Sequence, residues 1–261
     1  MENTKKKIPG FLFSRNSKMF HVVVRLKDKP GALSGVLQSL RASVDIICSV
    51  SYVTEDGGAI WSAFVKPLSR AETESKLEKL AMGSAFVEDC QVKGSDHGLM
   101  VDTLHSGVEY GPGRPGLIMP LSGVSRMNRA LVEEFGSGGE TVLYEEGRAL
   151  GRASGDYLNS LLGRANPMWK VEAHAGLYRS LGWGIPSLQT ERPGFTYVFR
   201  FNDCFECFEP DKVRKGCVFL RGHVAGTLSS LFGSEFQGEE RKCRLRGGSV
   251  CEFRMTRVEQ A

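Results

Sequence analysis

The sequence predicts an α+β protein built from two domains, and three observations support this class. Residues 19–95 carry strand-like and helix-like segments in the order βαββαβ, which is the order of a ferredoxin-like plait. Residues 96–116 are dense in glycine and proline, a composition typical of a linker. Residues 117–257 combine several helical patterns with strand-like segments and do not repeat the first block. We therefore expect a second α+β domain with an antiparallel sheet.

The first domain begins with a β-branched run, MFHVVVRL, which predicts a buried strand. The segment KDKPGALSGVLQSLRAS predicts a helix, because Pro30 suits a first helical turn and apolar residues then recur at helical spacing. VDIICSVSYVTED and GAIWSAFVKP predict two strands joined by a turn at 56–58. SRAETESKLEKLAMG predicts the second helix, and SAFVEDCQVK predicts the closing strand.

The second domain is predicted to be richer in helices. SGVSRMNRALVEEFG, MWKVEAHAGLYRSLGWGI and GCVFLRGHVAGTLSSLFG each predict a helix, and ETVLYEEGRALGRASGDYLNSLLG predicts a strand start followed by a longer helix. GFTYVFRFND alternates as a strand, and EERKCRLRGGSVCEF is typical of a tight hairpin. Gly147, Gly151 and Gly155 share one helix face. Each costs about 1 kcal/mol relative to alanine inside a helix, so they predict close approach by another backbone.

Composition narrows the functional class. The chain has 34 basic and 30 acidic residues, a net charge of +4 that does not demand a nucleic-acid partner. Its apolar runs are too short to cross a bilayer, and the basic run Lys5–Lys7 is followed by breakers rather than by a signal-peptide core. We expect a cytoplasmic protein without a membrane or direct nucleic-acid partner. Seven cysteines in such a chain favour metal binding over a disulfide framework.

Two cysteines, Cys243 and Cys251, stand in the predicted C-terminal hairpin. If residues 247–249 form a three-residue loop, these cysteines share one face, and Cys217 at the start of the preceding helix covers that face. Three thiolates with a carboxylate or a histidine make a closed tetrahedral zinc site. Buried free cysteines that act as small hydrophobes, and a disulfide between the hairpin cysteines, stay open as alternatives at this point.

The candidate fourth ligand is one of two adjacent glutamates. Strict strand alternation puts Glu239 on the cysteine face of the hairpin. Glu240 reaches that face only through a bulge or a bend before the strand. Further upstream, Cys204 and Cys207 form the CxxC of the segment CFEC, which predicts either a redox pair, two more metal ligands or, with its neighbouring phenylalanines, part of the core.

Three segments resemble the 4-vinyl reductase (4VR) domain over about residues 120–256: LYEEGRALGRASGDYL, GCVFLRGHVAGTLSSLFGSEF and EERKCRLRGGSVCEFRM. That family is related in fold to TRAPP vesicle-tethering subunits. In phenol-sensing bacterial transcription regulators it holds zinc with a cysteine, a glutamate three residues before the next cysteine, and a last cysteine eight residues further on. The resemblance implies a structural Zn²⁺ bound by Cys217, Glu240, Cys243 and Cys251, and it favours Glu240 over Glu239.

The same resemblance implies a pocket for a small hydrophobic or aromatic molecule. His174 would be the polar group of this pocket, as a histidine is in the phenol-sensing relatives. Those relatives also use a tryptophan, and here a phenylalanine stands at that place. The remaining candidate pocket residues are Trp169, Trp183, Phe199 and Phe201.

The segment KDKPGALSGVLQSL and the βαββαβ order resemble an ACT domain over about residues 19–95. That family binds an amino acid at the loop after its first strand, usually at a dimer interface. The resemblance therefore implies a homodimer and an amino-acid site in which N–H groups near the helix start bind the carboxylate. The implied site residues are Asp28, Gly31, Ala32, Leu33 and Asp45.

The sequence contains no nucleophile elbow, P-loop or dinucleotide fingerprint. We therefore expect a ligand-binding sensor or regulatory protein rather than an enzyme. Two alternatives follow from the family resemblances. One is an accessory protein or enzyme for vinyl-group reduction in chlorophyll-type tetrapyrrole synthesis, and the other is an assembly scaffold that binds no ligand.

Overall fold

The structure, a computed structural model, describes residues 7–8, 10–15, 17–95, 97–111, 113–211 and 213–259. The chain divides into two compact units, Met1–Leu117 and Ile118–Ala261. Lys5 and Lys6 of the basic N-terminal run lie outside the described residues. No helix in the described part of the chain combines the length and the apolar character needed to cross a membrane.

The first unit contains the predicted βαββαβ order. Its elements are β1 (Phe11–Phe13), β2 (Phe20–Lys27), α1 (Ala32–Leu40), β3 (Val44–Val53), β4 (Gly58–Pro67), α2 (Glu74–Met82), β5 (Val87–Gly94), β6 (Leu99–Val101), β7 (Val108–Gly111) and β8 (Arg114–Gly116). Strands β2 to β5 form one antiparallel sheet in the order β3-β4-β2-β5. The alternating side chains of β2 are buried because this strand lies inside the sheet.

Residues 96–116, which the sequence predicts as a linker, contain three short strands. Strand β6 pairs with β1, and β7 pairs with β8. Met100 of β6 is buried against Met19 and Phe64, so this segment adds a small core to the first unit. Its glycines and prolines mark tight turns between short strands instead of a free connection.

The second unit is a helical layer and an antiparallel sheet. Its elements are α3 (Leu121–Phe135), α4 (Ser137–Leu162), α5 (Pro167–Ser180), β9 (Ile185–Arg192), β10 (Thr196–Asn202), α6 (Val218–Phe232), β11 (Phe236–Lys242) and β12 (Cys251–Arg257). The strand order is β11-β12-β10-β9, and all its pairs are antiparallel, as predicted. The predicted strand start at 140–144 is wrong, because these residues belong to α4. Strand β9 has no expectation to match it.

Helices α4 and α6 pack backbone to backbone. A Cβ built on Gly147 or Gly151 of α4 would overlap a carbonyl oxygen of α6, that of Phe219 or His223. In the other direction, a Cβ on Gly226 would overlap a carbonyl oxygen of α4. The close approach predicted from the glycine spacing is therefore confirmed. It brings the inner face of α6 against α4 with no side chain between the two helices.

The C-terminal hairpin is looser than a three-residue turn. Strand β11 ends at Lys242, and residues 243–250 connect it to β12 through a 3-10 turn at Arg244–Arg246. The three-residue loop is therefore wrong, because Cys243 lies after the strand and not within it. The predicted irregularity in β11 is confirmed, since the pairing register shifts between Glu240 and Lys242.

Candidate functional site

Five cysteines of the second unit meet in one buried group, which we call the thiol cluster: Cys204, Cys207, Cys217, Cys243 and Cys251. The Sγ atom of Cys217 lies 3.3 to 3.7 Å from the other four Sγ atoms, and Cys207 Sγ lies 3.4 Å from Cys251 Sγ. A disulfide bond is about 2.05 Å long, so these sulfurs are free thiols. Their spacing is near the edge of about 3.8 Å that Zn–S bonds of about 2.3 Å give in a tetrahedron.

The cluster forms where four segments of the fold end or begin. Cys217 is the residue before α6, and Cys251 opens β12, where it pairs with Phe201 of β10. Cys243 directly follows β11. The remaining two cysteines come just after β10, where Cys204 precedes a short 3-10 turn and Cys207 ends it. A metal ion here would therefore join helix α6 to both ends of the hairpin and to the end of β10.

Glu240 faces the cluster, and Glu239 does not. Both carboxylate oxygens of Glu240 accept from the backbone N–H of Cys217, at 3.2 and 3.1 Å, while Glu239 is exposed. The register shift in β11 turns Glu240 inward. A Cβ at Gly216 would overlap the Glu240 carboxylate, so glycine is required there for this approach. Burial raises the pKa of Glu240, and Arg246 lies 3.6 Å from it as a partial counter-charge.

The potential ligand atoms of the cluster form two sets of four, each with its atoms within 4.8 Å of one another. One set is Cys217, Glu240, Cys243 and Cys251, the four residues predicted as zinc ligands, which the structure brings together. The other set combines the CxxC cysteines, Cys204 and Cys207, with Cys217 and Cys251. The residues in hand therefore fit a thiophilic metal ion in either set.

Glu206 and Arg214 hold the CxxC segment in place. The Glu206 carboxylate accepts from the backbone N–H of Phe219 at 3.3 Å and of Leu220 at 2.7 Å, which caps the first turn of α6. Burial raises the pKa of Glu206 to about 8. The guanidinium of Arg214 donates to the backbone carbonyl oxygens of Glu206 and Glu209. This anchoring follows from the chain path, and only the acidic residue inside CFEC could have pointed to it.

A small closed cavity of ≈10 Å³ lies between α5, α6 and the sheet. This is about the space of one water molecule. Its walls are mostly apolar, with three polar side chains among them. The lining residues are Val171, His174, Tyr178, Phe199, Val224, Thr227 and Leu228.

Aromatic and polar side chains surround this cavity. The hydroxyl of Tyr178 is hydrogen-bonded to Nδ1 of His223 at 2.9 Å, and Thr227 donates to the carbonyl oxygen of Gly151 at 3.2 Å. His174 makes no side-chain hydrogen bond among the described residues, although it is only 5% exposed. Burial lowers the pKa of His174 to about 4 and that of His223 well below its usual value, so both rings are neutral at pH 7.

The predicted pocket residues separate into two groups. His174 and Phe199 line the cavity, and Phe201 is buried next to Tyr178 with ring centroids 5.3 Å apart. Trp183 lies beyond the lining residues, against His223. Trp169 lies outside the cavity and is 51% exposed, because the neighbouring positions of α5 provide the buried face.

Three lining or adjacent groups, Tyr178, Thr227 and His223, have no place in the pocket predicted from sequence. Each lies on a helix next to apolar residues, and none stands in a motif of its own. Their helical spacing could have placed Tyr178 one turn after His174, and Thr227 one turn after His223. That spacing alone does not tell which face of a helix meets a cavity.

The predicted amino-acid site of the first unit is spread along α1 and an edge strand. Asp28, Gly31 and Asp45 are exposed, Ala32 is buried and Leu33 is half-buried. Gly31 precedes α1 with φ of 87°, a conformation that favours glycine. The N–H of Ala32 donates to Lys29, so it is not free for a ligand.

A second group of titratable side chains joins two parts of the first unit. Asp102 lies 3.5 Å from His21 and 2.8 Å from His105, and Ser62 is hydrogen-bonded to the far side of the His21 ring at 2.9 Å. Burial lowers the pKa of His21. These contacts fix residues 102–105 to the central sheet, and the sequence reasoning has no counterpart for them.

Comparison with known sequences adds one domain assignment. The family model of the 4-vinyl reductase (4VR) domain matches residues 197–257. This span runs from β10 to β12 and includes the whole thiol cluster. The second unit therefore contains a 4VR-type domain. No curated protein sequence matches the chain.

Solved structures give weaker likenesses. The phenol-responsive sensory domain of the transcription activator PoxR, with phenol, is 17% identical over 56% of this chain and 79% of that chain, with a TM-score of 0.48. Trafficking protein particle complex subunit 3 from Naegleria fowleri, covalently bound to palmitic acid, is 17% identical over 53% and 95%, with a TM-score of 0.43. A vinyl-4-reductase family protein from Methanocaldococcus jannaschii is 19% identical over 55% and 85%, with a TM-score of 0.39. All three scores lie below 0.5, so these likenesses carry no functional conclusion.

Proposed function

We propose that this protein is a ligand-binding sensor whose second unit takes a small aromatic or similarly apolar molecule in the cavity at His174. One observation carries the proposal: a buried, neutral histidine without a hydrogen-bond partner among the described residues lines a mostly apolar cavity. A buried polar group that lacks a partner is costly, so a ligand that supplies one gains free energy there. Pockets with apolar walls and few polar groups are typical of small-molecule sites.

The chemistry of the cavity favours a small amphipathic ring. A neutral imidazole has one donor and one acceptor nitrogen, which suits a hydroxyl group. Phe199, Val224 and Leu228 supply apolar contact for the rest of the molecule. Because ≈10 Å³ holds only about one water, a ring enters only if lining side chains move. Ligand binding in this cavity is thus coupled to a change in packing, which is what a sensor requires.

The zinc ion of this proposal is structural. Cys217, Glu240, Cys243 and Cys251 would hold it, and with all four positions filled by protein no position remains for a substrate. The ion would tie the start of α6 to the hairpin. Helix α6 carries Val224, Thr227 and Leu228 of the cavity wall, so the ion would also keep that wall in position.

Phenol is expected to raise the melting temperature of the protein more than toluene does, because only phenol offers a hydroxyl to His174. The His174→Leu variant should remove this difference while it keeps the fold. Since the pKa of His174 is about 4, the ring stays neutral above that value. Phenol stabilisation should therefore be flat from about pH 5.5 to 8. A thermal-shift series over both compounds measures this.

The matched control for this experiment is Trp169→Leu, which removes a predicted pocket residue that lies on the surface. It should leave the preference for phenol unchanged. Equal responses to phenol and toluene in the unaltered protein would contradict the role of His174. An absence of stabilisation by either compound would contradict the aromatic ligand class.

For the first unit we propose an ACT-like role in dimerisation, with an amino acid as a second ligand near Gly31. Strand β3 is at the edge of its sheet and exposes five apolar or aromatic side chains, a pattern that invites pairing with another strand. These side chains are Ile46, Ile47, Val50, Tyr52 and Val53. Two copies that meet at this edge would bury the apolar side chains.

The Val50→Lys variant is expected to convert a dimer to a monomer, because a lysine in the paired edge would bring like charges together. Light scattering coupled to size-exclusion chromatography measures the mass. Val142→Lys is the control, since Val142 is a similarly exposed valine on α4. A monomeric unaltered protein would overturn the dimer, and a dimer that survives Val50→Lys would move its interface elsewhere.

A further inference from the structure

We propose that the thiol cluster is a binuclear metal site, in which Cys217 and Cys251 bridge two thiophilic divalent ions. The inference rests on the zinc set of the proposed function and adds to it a second ion, held by the CxxC cysteines. Cys204 and Cys207 would be the outer ligands of that ion. Glu240 and Cys243 would be the outer ligands of the first.

The number of donors matches this arrangement. Two tetrahedral ions that share an edge need six donors, of which two bridge and four are terminal. The cluster supplies five thiols and one carboxylate, and its two four-donor sets share only Cys217 and Cys251. A thiolate sulfur has enough lone pairs to bind two ions at once. A single ion in either set would leave two buried donors beside it without a metal.

The distances agree with a shared edge. Cys217 Sγ and Cys251 Sγ are 3.6 Å apart, close to the edge of about 3.8 Å of a tetrahedral zinc–thiolate site. Cys207 Sγ lies over this edge, at 3.3 Å from Cys217 and 3.4 Å from Cys251. On the side of the first set, Cys243 Sγ lies 3.7 Å from Cys217. Both ions can therefore use the same pair of sulfurs with small adjustments.

The additional donors are held by a rigid frame. Glu206, between the CxxC cysteines, is bound to two backbone N–H groups of α6, and Arg214 is bound to the carbonyl oxygen of Glu206. Both side chains are buried. The segment that carries Cys204 and Cys207 is thus fixed to the same helix start that carries Cys217. Preorganised donors of this kind bind metal without the entropy cost of ordering a loop.

The charge of the cluster favours a second ion once the first has bound. Thiols bind metal as thiolates, and each ion that enters displaces protons from them. Five thiolates and one carboxylate would carry six negative charges in a buried site, which two divalent ions offset better than one. Arg246, 3.6 Å from Glu240, contributes a further positive charge.

The test is the metal stoichiometry of the full-length chain. Apoprotein prepared under reductant is titrated with ¹¹³Cd²⁺, which replaces zinc at thiolate sites, and is measured by native mass spectrometry and ¹¹³Cd NMR. We expect two ions per chain and two resonances that are coupled to each other through the shared thiolates. The C204S/C207S variant should retain one ion, and so should E240Q/C243S. The C48S/C90S control, whose cysteines lie in the first unit, should retain two.

The outcomes separate the two proposals. One ion per chain at saturation would overturn the binuclear site and leave the single zinc site intact, provided that E240Q/C243S loses it. One ion that is lost only in C204S/C207S would overturn both assignments. No bound ion would overturn both as well. Two ions without mutual coupling would overturn the bridging role of Cys217 and Cys251.

Discussion

Removal of metal is expected to destabilise the second unit by on the order of 10 kcal/mol, which is the folding free energy that a structural zinc site contributes. Since a domain is stable by only about 5–15 kcal/mol, the metal-free unit should lose its cooperative unfolding transition or melt at a much lower temperature. The physical reason is that the thiolates converge on one point only in the folded chain. Thermal denaturation with and without a strong chelator, followed by addition of zinc, measures the effect and its reversal.

The Cys251→Ser variant should reproduce the effect of the chelator without one. Cys251 is fully buried, and it is common to both four-donor sets, so its loss affects either arrangement of the metal. Cys90→Ser is the matched control, because Cys90 is a free cysteine of the first unit outside the cluster. If chelation and Cys251→Ser both leave the melting curve unchanged, the cluster is a set of packed thiols and not a metal site.

The Gly151→Ala variant is expected to destabilise the second unit by about 3 kcal/mol, the upper part of the usual range for overpacked cores. Alanine is the better helix former by about 1 kcal/mol, so local propensity alone predicts the opposite sign. The added Cβ would overlap the carbonyl oxygen of His223 on α6, and a backbone atom cannot rotate away as a side chain can. Urea denaturation measures the free energy of unfolding.

Gly176→Ala is the control for this prediction. Gly176 also lies inside a helix, α5, but nothing lies within 4 Å of a Cβ built on it. This variant should stabilise the protein by about 1 kcal/mol. If both variants shift stability in the same direction, the close contact between α4 and α6 is not what requires glycine at position 151.

Local pattern predicted much of the fold because its signals lie within single segments. The alternation in MFHVVVRL and the helical spacing in GCVFLRGHVAGTLSSLFG predict β2 and α6, which the structure has at those places. Strand β9 escaped prediction because its residues are mostly exposed and polar and show no clean alternation. The strand expected at 140–144 belongs to α4, since a β-branched residue and a tyrosine within a long amphipathic segment do not end a helix.

The candidate site was predictable only where a spacing carries it. The interval from Glu240 to Cys243 and Cys251 can be compared with a family pattern, and it selects Glu240 even against strand alternation. Nothing in the segment CFEC tells whether its sulfurs meet those of Cys217. The surface position of Trp169 was equally invisible, because adjacent residues of a helix face in different directions and the sequence does not say which of them meets the sheet.

By itself, the sequence determined the α+β class, the βαββαβ order of the first unit, the glycine contact of α4 and the Cys-Glu-Cys-Cys spacing. These features follow from periodicity and from short intervals along the chain. Only the tertiary structure decided that Cys204 and Cys207 join Cys217 and Cys251, and that His174 stays buried and neutral at a cavity. Such contacts depend on how α6 and the end of β10 pack against each other, and packing between distant segments leaves no local pattern in the residues that make it.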